Sequence, residues 1–101
     1  MFLKENLKLL RKRRKRSQED VAKSLNLTRS AYNSYENGVA EPGIQILIRL
    51  SEFFQINIDK LLRTDLGRLS ELQLSQLEKG FDLDLTGTRL RVLATTVNMD
   101  N

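Results

Sequence analysis

The stretch SQEDVAKSLNLTRSAYNSYENG, residues 17–38, decides the fold of this 101-residue chain. Ser17 and Asp20 have the spacing of a capping box, which predicts that a helix starts just after Ser17. Asn26 tolerates the left-handed backbone of a tight turn, and Thr28 is placed to cap another helix. The stretch therefore predicts two short helices joined by a tight turn.

The second of these helices has two different faces. At 100° per residue, Tyr32 and Tyr35 fall on the side that faces the core, as Val21, Ala22 and Leu25 do in the first helix. The opposite side carries Arg29, Ser30, Asn33, Ser34 and Asn37. Such a slim polar face fits a DNA major groove about 12 Å wide, where amides and hydroxyls bond to base edges. Simple solvent exposure is the alternative.

Basic residues are concentrated ahead of this stretch. Residues 1–16 hold eight Lys or Arg and one Glu, a net charge of +7, whereas residues 17–101 hold nine basic and twelve acidic residues, a net of −3. A block such as RKRRKR at 11–16 attracts a polyanion through counterion release, which makes Lys12, Arg13 and Arg14 candidate phosphate contacts. A solvated helix end and a basic helix on an anionic membrane are the alternatives.

Five helices are expected within residues 1–63. Leucines spaced by three and four residues indicate an amphipathic first helix that ends near Arg16, and the second helix should cover Gln18–Leu25. After breakers at Gly38 and Pro42, apolar runs predict helices over Ile44–Phe54 and Ile58–Leu62. The helix over 44–54 is apolar around more than half its circumference, so we expect it at the centre of a compact all-α domain.

Composition excludes several classes of protein. The chain has no cysteine and no histidine, so disulfides, thiolate or imidazole metal sites and histidine catalysis are excluded. No run of about 18 uncharged apolar residues predicts a membrane span, and a cytoplasmic protein without metal or cofactor is expected. An enzyme would depend on groups such as Asp82 and Asp84, which are more simply the exposed side of an alternating strand.

Several residues form a motif: Leu10-Arg11, Ser17-Gln18, Ala22, Glu36-Asn37-Gly38 and Pro42. With this motif, residues 3–62 resemble the Cro/phage-repressor (Xre-type) helix-turn-helix family. The resemblance implies a DNA-binding transcription regulator, in the form of a dimeric repressor on a near-palindromic operator. Two positions depart from the family pattern: Asn26 stands where glycine is usual, and Arg16 where an apolar residue is usual.

The resemblance also implies roles for individual residues. Base edges in the major groove would face Arg29, Ser30, Asn33 and Ser34. DNA phosphates would be contacted by Gln18, Thr28 and Asn37, in addition to Lys12, Arg13 and Arg14. Arg11 would form a structural ion pair with Glu36, and loss of one partner would leave a partly buried charge at a cost of about 3–5 kcal/mol.

Residues 64–101 are expected to form a separate tail for dimerisation or connection. Leucines at 66, 69, 72 and 77 predict one side of a helix that ends at Gly80. Phe81–Leu85 and Leu90–Val97 predict two short strands around a turn at Thr86-Gly87. An isolated hairpin is marginally stable, so it would need a partner surface, such as the same segment of a second chain.

The tail leaves two further interpretations open. Its residues 90–96 resemble the connector of repressors that continue into a self-cleaving serine peptidase domain, although no Ala-Gly or Cys-Gly bond offers the usual cleavage site. One expectation is therefore that the chain is a fragment of a longer repressor. The alternative function is an antitoxin whose DNA-binding head regulates its own promoter while the tail masks a toxin. An antitoxin tail would be disordered until its protein partner binds, whereas a dimerisation tail would be ordered.

Overall fold

The computed structural model describes the backbone of residues 1–86 and the side chains of residues 1–79. This part of the chain is all-α, as predicted, and contains no strand. The elements are α1 (Leu3–Arg13), α2 (Gln18–Ser24), α3 (Arg29–Glu36), α4 (Ile44–Phe54), α5 (Ile58–Arg63), a 3-10 turn (Leu66–Arg68) and α6 (Glu71–Thr86).

Polar side chains start three of the helices where the sequence predicts them. Ser17 Oγ accepts from the Asp20 amide at 3.0 Å, and the Asp20 carboxylate accepts from the Ser17 amide at 3.2 Å, which completes the capping box of α2. Thr28 caps α3 by accepting from the Ala31 amide, and Asn57 caps α5 by accepting from the Lys60 amide. These local bonds satisfy amide groups that no helical carbonyl can reach.

α1, and not α4, is the more central helix. It packs against α3, α5 and the 3-10 turn, and its Leu7 and Leu10 are completely buried. The expectation of a central α4 was wrong, because Ile44 is 73% exposed and Ile48 is 44% exposed. α4 contributes one face only, mainly Leu50 and Phe54.

The first helix is shorter than predicted. α1 ends at Arg13 instead of near Arg16, and Lys15 then adopts a left-handed conformation with φ of 55°. This reversal turns the chain so that α2 can begin at Gln18.

Asn6 is a buried polar residue that fastens α1 to the end of α5 and the segment beyond it. Its Nδ2 donates to the carbonyls of Leu61 at 2.8 Å and Thr64 at 2.7 Å, and its Oδ1 accepts from the amide of Leu66 at 3.2 Å. The residue is fully bonded, as burial of an amide requires. Residues beyond 63 are therefore joined to the helical core through Asn6.

The predicted helix end at Gly80 and the predicted strand over 81–85 were both wrong. α6 begins after Ser70, whose amide and hydroxyl bond reciprocally to Gln73 in the first turn, and it continues through Gly80 to Thr86. A glycine inside a helix costs only about 1 kcal/mol relative to alanine, and an established helix adds one hydrogen bond for each further residue. The predicted strand over 90–97 and the turn residue Gly87 lie outside the described residues.

The predicted leucine stripe of this segment is also different. Leu66 is buried in the 3-10 turn, ahead of α6, and Leu72 on α6 is 68% exposed. Leu74 is the residue of α6 that enters the core, with Leu77 packed partly against it. The 3-10 turn breaks the helical spacing, so leucines on its two sides do not share a face.

Candidate nucleic-acid interface

The turn between α2 and α3 is built around Asn26. Its φ of 57° is left-handed, and the Leu27 amide donates to the Ala22 carbonyl at 2.8 Å across the turn. After glycine, asparagine is among the residues that adopt this conformation most readily. The departure from the family's usual glycine is therefore accommodated, and α2 packs on α3.

The outer face of α3 has the polar character that the sequence predicts. Arg29 and Ser30 are exposed, and Asn33 and Ser34 are half-buried, whereas Tyr32 on the inner side is completely buried. Arg29 borders a shallow depression together with residues 17–19 at the start of α2. A cation thus lies beside the first turn of α2 on a surface open to a large ligand.

Arg11 and Glu36 form a two-pronged ion pair that ties α1 to α3. Arg11 Nε donates to Glu36 Oε2 at 2.7 Å and Nη2 donates to Oε1 at 3.2 Å. The Glu36 side chain is 0% exposed. Burial alone would raise the pKa of Glu36, but its hydrogen bonds, chiefly that from Arg11, outweigh burial and lower it, so the carboxylate remains charged.

The side chain of Gln18 connects this ion pair to the outer face of α3. Gln18 Nε2 donates to Glu36 Oε1 and to Asn33 Oδ1, each at 3.0 Å. Asn33 Oδ1 also accepts from Asn37 Nδ2 at 3.1 Å. An amide nitrogen carries two hydrogens, so Gln18 has no side-chain donor left for the phosphate contact expected of it.

Thr28 and Asn37, the other expected phosphate contacts outside the basic block, keep side-chain donors that Gln18 lacks. Thr28 Oγ1 accepts from the Ala31 amide at 3.0 Å and keeps its own hydrogen to donate. Asn37 is exposed and uses one of its two amide hydrogens on Asn33.

Arg13 in the basic block binds carboxylates of the protein itself. Its Nη1 donates to Glu71 at 2.6 Å and its Nη2 to Glu78 at 3.1 Å. The Arg13 side chain is only 17% exposed, and the hydrogen bonds that it donates, first to Glu71 and then to Glu78, raise its pKa. The structure thus places Arg13 between α1 and α6, a role with partners that the sequence pattern did not indicate.

The next arginines of the block lie on aromatic rings of α4. The Arg14 guanidinium lies 5.7 Å from the Phe53 ring centre and donates to the Phe54 carbonyl at 3.1 Å. Arg16 lies 5.8 Å from the same Phe53 ring, where the planar cation and the aromatic face attract each other. Lys12 and Lys15, by contrast, are exposed. Arg11, Arg13 and Arg14 thus bind groups of the protein itself, whereas Arg16 is exposed like the two lysines.

Other kinds of site receive no support from the described residues. Among them, no cluster of three or more His, Cys, Asp or Glu side chains is placed to hold a metal ion. None of the helices in this part of the chain combines the length and apolar character needed to cross a bilayer.

The chain was compared with known proteins. A helix-turn-helix family model matches residues 7–61. From Bacillus subtilis, an uncharacterized HTH-type transcriptional regulator YqaE is 42% identical over 59 residues, which cover 58% of this chain and 51% of the relative. The SPbeta prophage-derived uncharacterized regulator YonR is 39% identical over 59 residues, 58% of this chain and 55% of the relative.

A third relative extends further along the chain. The HTH-type transcriptional regulator AnsR of Bacillus subtilis is 29% identical over 82 residues, 81% of this chain and 71% of the relative. The chain spans about half the length of YqaE and YonR. No solved structure matches.

These matches cover the segment that holds the capped α2, the turn at Asn26 and the polar face of α3. The family and these relatives are transcription regulators and not enzymes. The chain belongs to the Cro/phage-repressor (Xre-type) helix-turn-helix family of DNA-binding regulators.

Proposed function

We propose that this chain is a sequence-specific transcription repressor that binds a near-palindromic operator as a dimer. The observation that carries the proposal is the outward polar face of α3, held at a fixed angle to α1 by the buried Arg11–Glu36 pair. A rigid helix with short polar side chains suits the major groove.

The proposed base contacts are Arg29, Ser30, Asn33 and Ser34, all of which lie on that face. The proposed phosphate contacts are Thr28 and Asn37 at the two ends of α3, together with Lys12. We do not assign phosphates to Arg13, whose two Nη atoms bind Glu71 and Glu78, or to Arg14, whose guanidinium lies on the Phe53 ring and donates to the Phe54 carbonyl. Gln18 is assigned to orienting Asn33 instead.

The proposed mechanism is steric. Two copies of α3 would enter successive major grooves about 34 Å apart on one side of the duplex. A protein held there over a promoter would exclude polymerase. The two-fold symmetry of the dimer would be matched by an inverted repeat in the operator.

Selection of binding sites from a random duplex library by the whole chain tests this proposal. An enriched inverted repeat, with half-sites about one helical turn apart, is the expected result. Enrichment of a single half-site would contradict the dimer, and the absence of any motif despite salt-sensitive binding would contradict sequence-specific recognition.

Two substitutions then separate base contacts from phosphate contacts. Arg29→Ala should lose about 1–3 kcal/mol on the selected site and much less on random DNA. Lys12→Ala should weaken binding to both and reduce the salt slope by about 1 without changing the preferred sequence. Equal losses for Arg29→Ala on both DNAs would reassign Arg29 to phosphate.

The antitoxin alternative gains no support from the described part of the tail. Leu66 and Leu74 are buried in the core, and Glu71 and Glu78 are paired with Arg13. This segment thus packs on the helical domain of its own chain.

A further inference from the structure

We infer that Asn33 recognises its base purely as a hydrogen-bond donor, so that the base it faces is one that offers acceptors, guanine foremost. The inference rests on the proposed function, because it concerns what α3 reads once it lies in the major groove. It is carried by the chain of hydrogen bonds from Arg11 through Glu36 and Gln18 to Asn33.

The first link fixes the orientation of Gln18. Glu36 is a buried carboxylate bound by Arg11, and an ionised carboxylate can only accept hydrogen bonds. The Gln18 atom that faces it at 3.0 Å must therefore be the amide nitrogen. A turned Gln18 amide would set its oxygen against the carboxylate, which repels it.

The second link fixes the orientation of Asn33. The same Gln18 nitrogen lies 3.0 Å from the Asn33 side chain, and a nitrogen that only donates requires an oxygen opposite it. Asn37 Nδ2 donates to the same Asn33 oxygen at 3.1 Å. A carbonyl oxygen has two lone pairs, so both are occupied within the protein. The Asn33 amide nitrogen is what remains for a ligand.

This orientation changes which base is preferred. Asparagine usually reads adenine with both of its amide atoms, the oxygen accepting from N6 and the nitrogen donating to N7. With Oδ1 occupied, that two-bond contact is lost. Guanine presents two acceptors, O6 and N7, thymine presents O4, and cytosine presents only a donor in the major groove. Guanine is therefore the best partner of Asn33, and cytosine is the worst.

Ser34 on the same face shows why Asn33 is the discriminating residue. Ser34 Oγ donates to the Ser30 carbonyl at 3.0 Å, one turn back on α3. A hydroxyl can rotate and exchange that bond for one to a base. The Asn33 amide cannot turn without placing its amino group against that of Gln18.

The wild-type chain itself provides the first test. The base that Asn33 faces is identified as the operator position at which Asn33→Ala abolishes sequence preference. Four operators that differ only at that position are then compared by fluorescence anisotropy. The operator with guanine should bind most tightly, and the operator with cytosine should bind at least about 5-fold more weakly. Tightest binding to adenine or cytosine would overturn the inference.

The second test removes the hydrogen bond from Gln18 to the Asn33 side-chain oxygen. Gln18→Met keeps a similar length and helix propensity but removes one of the two donors to Asn33 Oδ1, which leaves a lone pair of that oxygen to accept from adenine N6. The variant should gain affinity for adenine relative to guanine by a few fold. Gln76→Met, the same change at an exposed site on α6, should leave the base preference unaltered. An unchanged preference in Gln18→Met would contradict the inference.

The two levels of failure are distinguishable. If the wild-type chain enriches no motif, the proposed function fails and the inference fails with it. If a motif is enriched but no position in it responds to Asn33→Ala, the proposed function stands and only the inference is overturned.

Discussion

Replacement of Arg11 by methionine should be among the most damaging single changes in this domain. It leaves the Glu36 carboxylate, whose side chain is 0% exposed, without the cation that pairs with it. Removing one partner of a buried pair costs about 3–5 kcal/mol. A domain of this size has a total stability of about 5–15 kcal/mol, so the loss is a large fraction of it.

Urea denaturation followed by circular dichroism measures this cost, with Arg63→Met as the matched control. Arg63 pairs with Asp59 at 3.6 Å, and their side chains are 76% and 70% exposed, so that variant should lose less than about 1 kcal/mol. The double variant Arg11→Met with Glu36→Leu should recover much of the loss, because the unpaired charge is gone. Similar losses for the two arginine variants would refute the reasoning.

Three further predictions concern stability. The folded-state pKa of Glu36 lies below its ordinary value of 4.5, so the contribution of this carboxylate to the free energy of unfolding should be fully present above about pH 4.5 and should decline as the pH falls through the folded pKa. In urea titrations across pH 3–6, Glu36→Gln should show a flatter decline in stability than the wild type, and parallel curves would contradict this prediction. Gly38→Ala should lower the free energy of unfolding by about 1–2 kcal/mol in the same assay, because Gly38 has a φ of 72° and an added Cβ would lie 2.9 Å from the Lys4 side chain. An unchanged urea midpoint would show that the turn relaxes. Leu74→Ala should lower the free energy of unfolding by about 2–5 kcal/mol, whereas Leu72→Ala, at an exposed site on the same helix, should change it by less than about 0.5 kcal/mol. Equal effects would mean that α6 does not pack on the core through Leu74.

Local signals in the sequence predicted the centre of the fold well. Ser17 and Thr28 cap helices through bonds that span three residues, and the two faces of α3 follow from helical periodicity. Each of these features depends on residues close in the chain, so a pattern within about ten residues contains the information. The start of α4 at Ile44 was predicted for the same reason.

Features that depend on distant partners were not predictable in this way. Arg13 looked like a free cation, because Glu71 and Glu78 lie 58 and 65 residues away. Gln18 looked available to phosphate, because its bond to Glu36 becomes visible only when α2 and α3 are packed. Ile44 and Ile48 looked buried because helical periodicity shows that a face is apolar but not whether another element covers it.

The three bonds of Asn6 have a consequence for the order in which the molecule is assembled. They join the first turn of α1 to residues 61, 64 and 66, so Asn6 obtains its buried partners only when some sixty further residues exist. Closing so long a loop carries an entropic cost that local helix formation does not. During synthesis, α2 and α3 can pair with each other and with the Arg11 end of α1 soon after they emerge, whereas the Asn6 end of α1 must wait for the chain beyond α5.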